Sequence, residues 1–302
     1  MFTCKRILAV ADPTLKLQTP LIRALLFAHK TDATIIVLSC IYDKSYDMVA
    51  VLNQGERSDI KQVMVEQEKE KIEAEIQQLK PTSNINIDVV VVWHKKLHEA
   101  VIESCDEYDC DLIIKATNEH GILSSSLFTA ADWHIARNSS VDVLLVKPRE
   151  WSKKPTVLSS IGVSAKDDAH VYLSDKVAET AYGLSKLLDA DLHFANSFAS
   201  APVQVTIEVP SFSPEIYNKA VQEIHLRQMK LLSDKYKLDD ANVHVEEGLP
   251  EEIIPHICKL YHADLIVIGS VGRKGLSAAL LGNTAELIID SVDCDTFIVK
   301  TN

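Results

Sequence analysis

Short, nearly unbroken runs of aliphatic and β-branched residues punctuate this chain, and the segments between them place apolar residues three and four apart. In the first half the runs are RILAVAD (6–12), ATIIVLSCI (33–41), INIDVVVVW (85–93), DLIIKAT (111–117) and VDVLLVK (141–147). Helical spacing occupies 20–29, 58–79 and 97–108, and one more helix is expected between the last two runs. The second half repeats the order. Its apolar runs are TVLSSIGVS (156–164), ADLHFANSF (190–198), NVHVEEG (242–248), DLIVIGS (264–270) and DTFIVK (295–300), with helical patterns near 171–188, 214–236, 251–262 and 284–291. Continuous apolar runs separated by helices predict parallel strands buried on both faces, hence an α/β fold.

The two halves read as copies of one plan. Residues 111–147 and 264–300 superimpose without a gap, with Asp111/Asp264, Leu112/Leu265, Asp142/Asp295 and Lys147/Lys300 identical. A basic, proline-bounded stretch, KPREWSKKP (147–155), joins them, so the expected domains are 1–150 and 151–302.

Composition narrows the function classes. A chain that is 47% hydrophobic and 25% charged has material for two buried cores. Its net charge of -12 gives no long-range attraction to nucleic acid or to an anionic membrane, so neither is an expected partner. The apolar part of MFTCKRILAVADP is too short for a secretory signal, and no run approaches a membrane span. Six cysteines without a CxxC suit reduced thiols in the cytoplasm.

Glycine is scarce, nine in 302 residues, and four of the nine fall in GSVGRKGLSAALLGNTAE (269–286). Gly269, Gly272 and Gly282 form G-x2-G-x9-G directly after a predicted strand. In parallel α/β sheets, ligands bind beyond the carboxyl ends of the strands. Glycine there permits positive φ and close approach of backbone amides to a phosphate. Gly282 precedes a helix whose free amides would face the same anion. Asn283 or Thr284 is the expected cap of that helix, and Arg273 and Lys274 add positive charge. A phosphate cradle is predicted, distinct from a P-loop because no GxxxxGK[ST] occurs. A glycine turn that merely permits a tight connection is the competing reading.

This motif in a two-copy chain, with SAALLGNTAE and GLPEEIIP in the second half and FTAADWHIAR in the first, resembles the universal stress protein family in its tandem form. The resemblance covers residues 4–302. For each half it implies a Rossmann-like, adenine nucleotide alpha hydrolase-like domain, a five-stranded parallel sheet with helices on both faces. It implies ATP or a related adenine nucleotide, accompanied by Mg2+, at the carboxyl edge. The expected function is a cytoplasmic stress-response regulatory or protective protein, with slow ATP hydrolysis at most.

Carried over by position, Gly269, Gly272 and Gly282 match the family's phosphate loop. Asn283 stands where Ser or Thr is usual, with Thr284 next to it. Ser164 falls at the acid that holds the adenosine moiety, with Asp167 and Asp168 nearby, and Asn196 falls at a backbone contact to the base. In the first half Asp12 occupies the acid position, but Ala116, Glu119 and Thr129 replace the glycines, and Glu119 would repel a phosphate. The resemblance thus implies one nucleotide site, in the second half. The first half is then structural or holds a different ligand, apolar or amphiphilic. A nucleotide-independent scaffold for a protein partner and a weak ATP hydrolase are the alternatives. Edge strands 141–147 and 295–300 are expected to pair the two halves into a compact monomer, with weak self-association as the alternative.

Other candidates carry bland readings beside the sharp ones. His94 and His98 could bind a metal but straddle a strand–helix junction, and Cys105, Cys110 and His120 suit burial better than zinc. Asp132 is expected to cap a helix and Trp133 to pack, since spacing fixes no nucleophile near Asp132, Trp133 and His134. The apolar stretch 202–214 could line a pocket or form a lid. The long polar helix at 58–79 is expected to cover a sheet edge, with a partner-binding face as the alternative.

Overall fold

The computed structural model describes residues 2–12, 18–45, 54–79, 85–117, 128–163, 168–209, 211–270 and 282–301. They form two compact units, Thr3–Arg149 and Glu150–Asn302, the second joined by Phe2. The first contains β1 (Arg6–Val10), α1 (Thr19–Thr31), β2 (Thr34–Ile41), α2 (Gln54–Gln78), β3 (Ile87–Trp93), α3 (Leu97–Glu107), β4 (Leu112–Ala116), α4 (Ala130–Asn138) and β5 (Asp142–Val146). The second contains β6 (Thr156–Ser160), α5 (Asp168–Leu188), β7 (Asp191–Phe198), α6 (Val203–Glu208), α7 (Pro214–Lys235), β8 (Val243–Glu247), α8 (Pro250–Leu260), β9 (Leu265–Ser270), α9 (Asn283–Ser291) and β10 (Asp295–Lys300).

All pairings within a unit are parallel. In the first the order is β3-β2-β1-β4-β5; in the second it is β8-β7-β6-β9-β10. The first strand of each unit therefore sits between its second and fourth, and the strand order reverses there. Parallel α/β sheets open a crevice at that point, beyond the carboxyl ends of the strands. The strands flanking it are buried along nearly their whole length, as their unbroken apolar runs predict.

Residues identical between the halves prove to be structural. Asp111 Oδ2 accepts the amides of Lys5 and Arg6 at 2.6 and 2.9 Å, fixing the entry to β1. Its counterpart Asp264 accepts the amides of Thr156 and Ser152, both at 3.1 Å, at the entry to β6. Asp295 takes the indole N–H of Trp151 at 2.9 Å. Each carboxylate satisfies donors that would otherwise be orphaned next to a buried strand.

The helix ends explain how so few glycines suffice. Asp109, Asp189, Lys237 and His262 adopt positive φ just after α3, α5, α7 and α8. In each case the next amide bonds back to the carbonyl five residues earlier, for example Cys110 to Cys105 at 2.9 Å and Ala263 to Cys258 at 2.8 Å. This is the Schellman ending, in which glycine usually takes the left-handed position.

Two expectations change. The stretch 202–214 contains the short helix α6, whose Val203 and Ile207 are 72% and 75% exposed. None of its described residues lines the cavity described below. The long polar helix begins earlier than expected, at Gln54, and buries Ile72 and Ile76. Among the described residues no helix is long and apolar enough to cross a membrane.

Candidate functional site

The reversal point of the second unit opens into a cavity of about 550 Å3. Its rim comes from the ends of the central strands, Ser160 at the end of β6 with Ile161 and Gly162 after it, and Ile268 and Gly269 on β9. Helix α5 supplies one wall through His170, Leu173, Ser174 and Val177, a spacing that puts all four on one helical face. Helix α8 adds Ile254, and the first turns of α9 add Thr284, Ala285 and Ile288. The lining is thus mostly apolar with a few polar groups, and the volume lies within the ~300–1,000 Å3 usual for small-molecule sites.

Gly269 earns its place by packing. A Cβ there would lie 2.7 Å from Cδ1 and Cγ of Leu173, so glycine lets α5 approach β9. The expected positive φ is absent: among the described glycines only Gly248 has it. Gly282 is the N-cap of α9, with φ -69° and ψ 147°, and nothing lies within 4 Å of where its Cβ would be. This corrects the expectation that Asn283 or Thr284 caps the helix, since both are inside it. Because glycine carries no acceptor, α9 begins without a side-chain cap, and its first amides lack that partner.

The equivalent helix of the first unit begins differently. Thr129, in the place of Gly282, accepts the amide of Asp132 at 3.2 Å, and Asp132 Oδ2 accepts the amide and hydroxyl of Thr129 at 2.7 and 2.8 Å. This capping box closes the start of α4. Asp132 Oδ1 also meets Lys115 Nζ at 2.6 Å, and Lys115 donates to the Ala116 carbonyl at 2.8 Å. Lys115 is 3% exposed and Asp132 0%. In the second unit these positions hold Ile268 and Ala285, both lining the cavity. The first unit keeps a smaller cavity of about 230 Å3 at the same edge, lined by Asp12, Cys40, Leu97, Lys115 and Ala116 among others.

Of the residues expected at the nucleotide site, Gly269, Gly282 and Thr284 line the cavity. Asn283 forms the first residue of α9. Asn196 lines it from within β7, but its side chain is committed elsewhere: Nδ2 donates to the Ile161 carbonyl at 2.7 Å, and Oδ1 lies 2.7 Å from Nδ1 of His225. Burial lowers the pKa of His225, so the ring is a neutral donor that holds the amide in place. Ser164, Gly272, Arg273, Lys274, Gly275 and Asp167 lie outside the described residues, as do Glu119 and His120 of the first half. Ala116 and Thr129 occupy extended backbone, so neither replacement puts a side chain at positive φ.

Sequence reasoning missed the α5 face and Lys115. The spacing of His170, Leu173, Ser174 and Val177 was an available signal for a common face, but a buried lysine inside an apolar strand was not recognisable as the partner of Asp132. Asp132 and Trp133 take the capping and packing roles expected of them. The His98 and His134 rings lie 4.0 Å apart, His94 Nδ1 accepts the Lys96 amide at 3.1 Å, and Trp133 packs on Phe128 at 4.9 Å. Among the described residues no group of three potential metal ligands stands together.

Comparison with known proteins gives one answer. Universal stress protein E of Salmonella typhi is 33% identical over 297 residues, covering 98% of this chain and 94% of that protein. The Haemophilus influenzae homolog of universal stress protein E is 32% identical over 301 residues, covering 98% and 97%. A solved universal stress protein from Archaeoglobus fulgidus DSM 4304 shares the fold, with a TM-score of 0.67 at 17% identity over 98% of this chain and 96% of that one. The sequence profile of the universal stress protein family matches residues 3–147 and again 171–300. The chain therefore belongs to the universal stress protein family, as a member with two such domains in tandem.

Proposed function

We propose that this protein is a stress-response binding protein that takes ATP or a related adenine nucleotide in its second domain and acts by switching conformation. The observation that carries the reading is the cavity of about 550 Å3 at the strand-order reversal, bordered by a helix that starts without a side-chain cap. Phosphate oxygens suit such amides, because the helix dipole and the orphan N–H groups favour the same charge. The amides of Asn283 and Thr284 and the Thr284 hydroxyl would hold the phosphate end. Leu173, Val177 and Ile161 offer an apolar surface for the base. Gly272, Arg273 and Ser164 belong to the same proposed site by their position in the family pattern, and Mg2+ would neutralise the phosphates. Binding would shift the domain between states only as far as the nucleotide prefers one of them. Turnover is not part of the proposed role. Six free cysteines are consistent with residence in the cytoplasm.

The test is a calorimetric titration of wild type and Gly282→Asp with ATP and Mg2+. Asp at the N-cap would satisfy the α9 amides and put a carboxylate where the phosphates belong. Expected is binding near one nucleotide per chain in the wild type and at least about tenfold weaker binding in the variant, equivalent to about 1.4 kcal/mol. Wild type that gives neither heat nor a thermal shift at millimolar ATP would remove the reading. The exposed apolar residues of α6 and α7, such as Ile207, Ile216 and Leu231, would then favour a nucleotide-independent scaffold.

A further inference from the structure

We propose that Asp132 is the resident anion of the first domain, a side-chain carboxylate seated where an external oxyanion would otherwise bind, with Lys115 as its dedicated counter-ion. The inference deepens the proposed function, because it gives a positional reason for nucleotide to be confined to the second domain.

Three observations converge on it. Asp132 Oδ2 takes the Thr129 amide and hydroxyl at the start of α4. Its Oδ1 meets Lys115 Nζ at 2.6 Å. The carboxylate is fully buried, and Lys115, which lines the adjoining cavity, nearly so. An amide and a hydroxyl hydrogen-bonded to one oxygen of a buried carboxylate, and an ammonium paired by charge with the other, make up an oxyanion site whose ligand is part of the chain.

At the matching positions of the second domain the same backbone presents Ile268, Gly282 and Ala285. There the cation, the cap and the carboxylate are all missing together, and the cavity is the larger one. The first domain thus places an internal anion at the positions where the second leaves a larger cavity. An isolated buried lysine would be costly, and so would an isolated buried aspartate; the pair is tolerated because each compensates the other. An incoming phosphate would have to displace a tethered carboxylate and break its bonds to Thr129 and its pairing with Lys115.

Removing the carboxylate should reopen the site to small oxyanions. Asp132→Ala leaves a buried ammonium beside a helix start that keeps only its Thr129 cap, with space for acetate or inorganic phosphate. Thermal unfolding of the full-length variant is followed in acetate, phosphate and chloride at matched ionic strength and pH. The expected result is a midpoint raised by about 3 °C or more in acetate or phosphate over chloride. Wild type should show a smaller rise, and Lys115→Met in the Asp132→Ala background should abolish the gain. An anion response in Asp132→Ala equal to that of wild type, or one that survives Lys115→Met, overturns the proposal.

Should Asp132→Ala fail to fold, amide hydrogen exchange on the wild type decides. The Asp132 amide, bonded to Thr129, should exchange at least about tenfold more slowly than the equivalent Ala285 amide in nucleotide-free protein, and equal rates would count against the proposal. The proposed function stands or falls on nucleotide titration of the wild type, so failure of one reading is distinguishable from failure of the other.

Discussion

Position 269 shows how one residue type can serve a reason other than the one its motif suggests. Gly269 reads as a loop glycine chosen for backbone freedom. In the structure it lies in β9, and its missing Cβ makes room for Leu173 of α5. The Gly269→Ala variant should therefore be less stable by about 1–3 kcal/mol, since the new methyl overlaps a packed side chain and helix or strand must move. Urea unfolding of the two proteins measures this directly. Gly282 has ordinary dihedral angles and open space around it, so a side chain there is sterically accepted. What a side chain at this position changes is the capping of α9, which is why the same position can be Thr129 in a domain that closes its own helix.

At the scale of elements, the instructive comparison is between helices that end alike and helices that begin differently. Helices α3, α5, α7 and α8 stop with a non-glycine residue in the left-handed region. Such a residue costs roughly 1–2 kcal/mol, less for Asp, while glycine there avoids the Cβ clash at some cost in unfolded-state entropy. Lys237→Gly and His262→Gly should each stabilise the protein by about 0.5–1 kcal/mol, read as a higher urea midpoint with an unchanged slope. A decrease would mean that the Lys237 or His262 side chain makes a contact of comparable value. The helix beginnings divide by domain. A capping box starts α4 and a bare glycine starts α9, although the two helices occupy the same place in the repeat.

Across the whole molecule, buried imidazoles set the response to acid. In the second domain His193 Nδ1 and His244 Nε2 lie 2.9 Å apart, and Tyr261 stacks 4.4 Å from His244. Burial, reinforced by His193, pushes His244 from 6.5 down to about 4. Burial also lowers His193 and His225, and in the first domain burial and the neighbouring His134 lower His98. All four shifts have the same sign. Below about pH 6.5 the unfolded chain binds more protons than the folded one, so their contribution is complete above pH 6.5 and is lost as pH falls, in the case of His244 down to about 4. The urea midpoint should drop between pH 7 and pH 5, and His244→Gln should reduce the drop. A variant with the same acid loss as wild type would assign the effect to other groups.

The sequence by itself determined the architecture: apolar runs long enough to be strands buried on both faces, helical spacing between them, and a repeat in register from Asp111/Asp264 to Lys147/Lys300. These are legible because burial is written into local residue type, and the period of the pattern distinguishes strand from helix. Of the glycine cluster, Gly269 and Gly282 lie at the strand edge where the cavity opens. Tertiary structure alone decided what stands at that edge. Leu173 beside Gly269, the α5 face and the first turns of α9 around one cavity, and Lys115 beside Asp132 each join residues from separate elements. The physical reason is that a cavity or a buried ion pair belongs to the space between elements, and its members carry no mark of one another in the chain. Lys115 makes the point most directly: within β4 it reads as an interruption of an apolar strand, and only beside Asp132 does it become half of a buried pair.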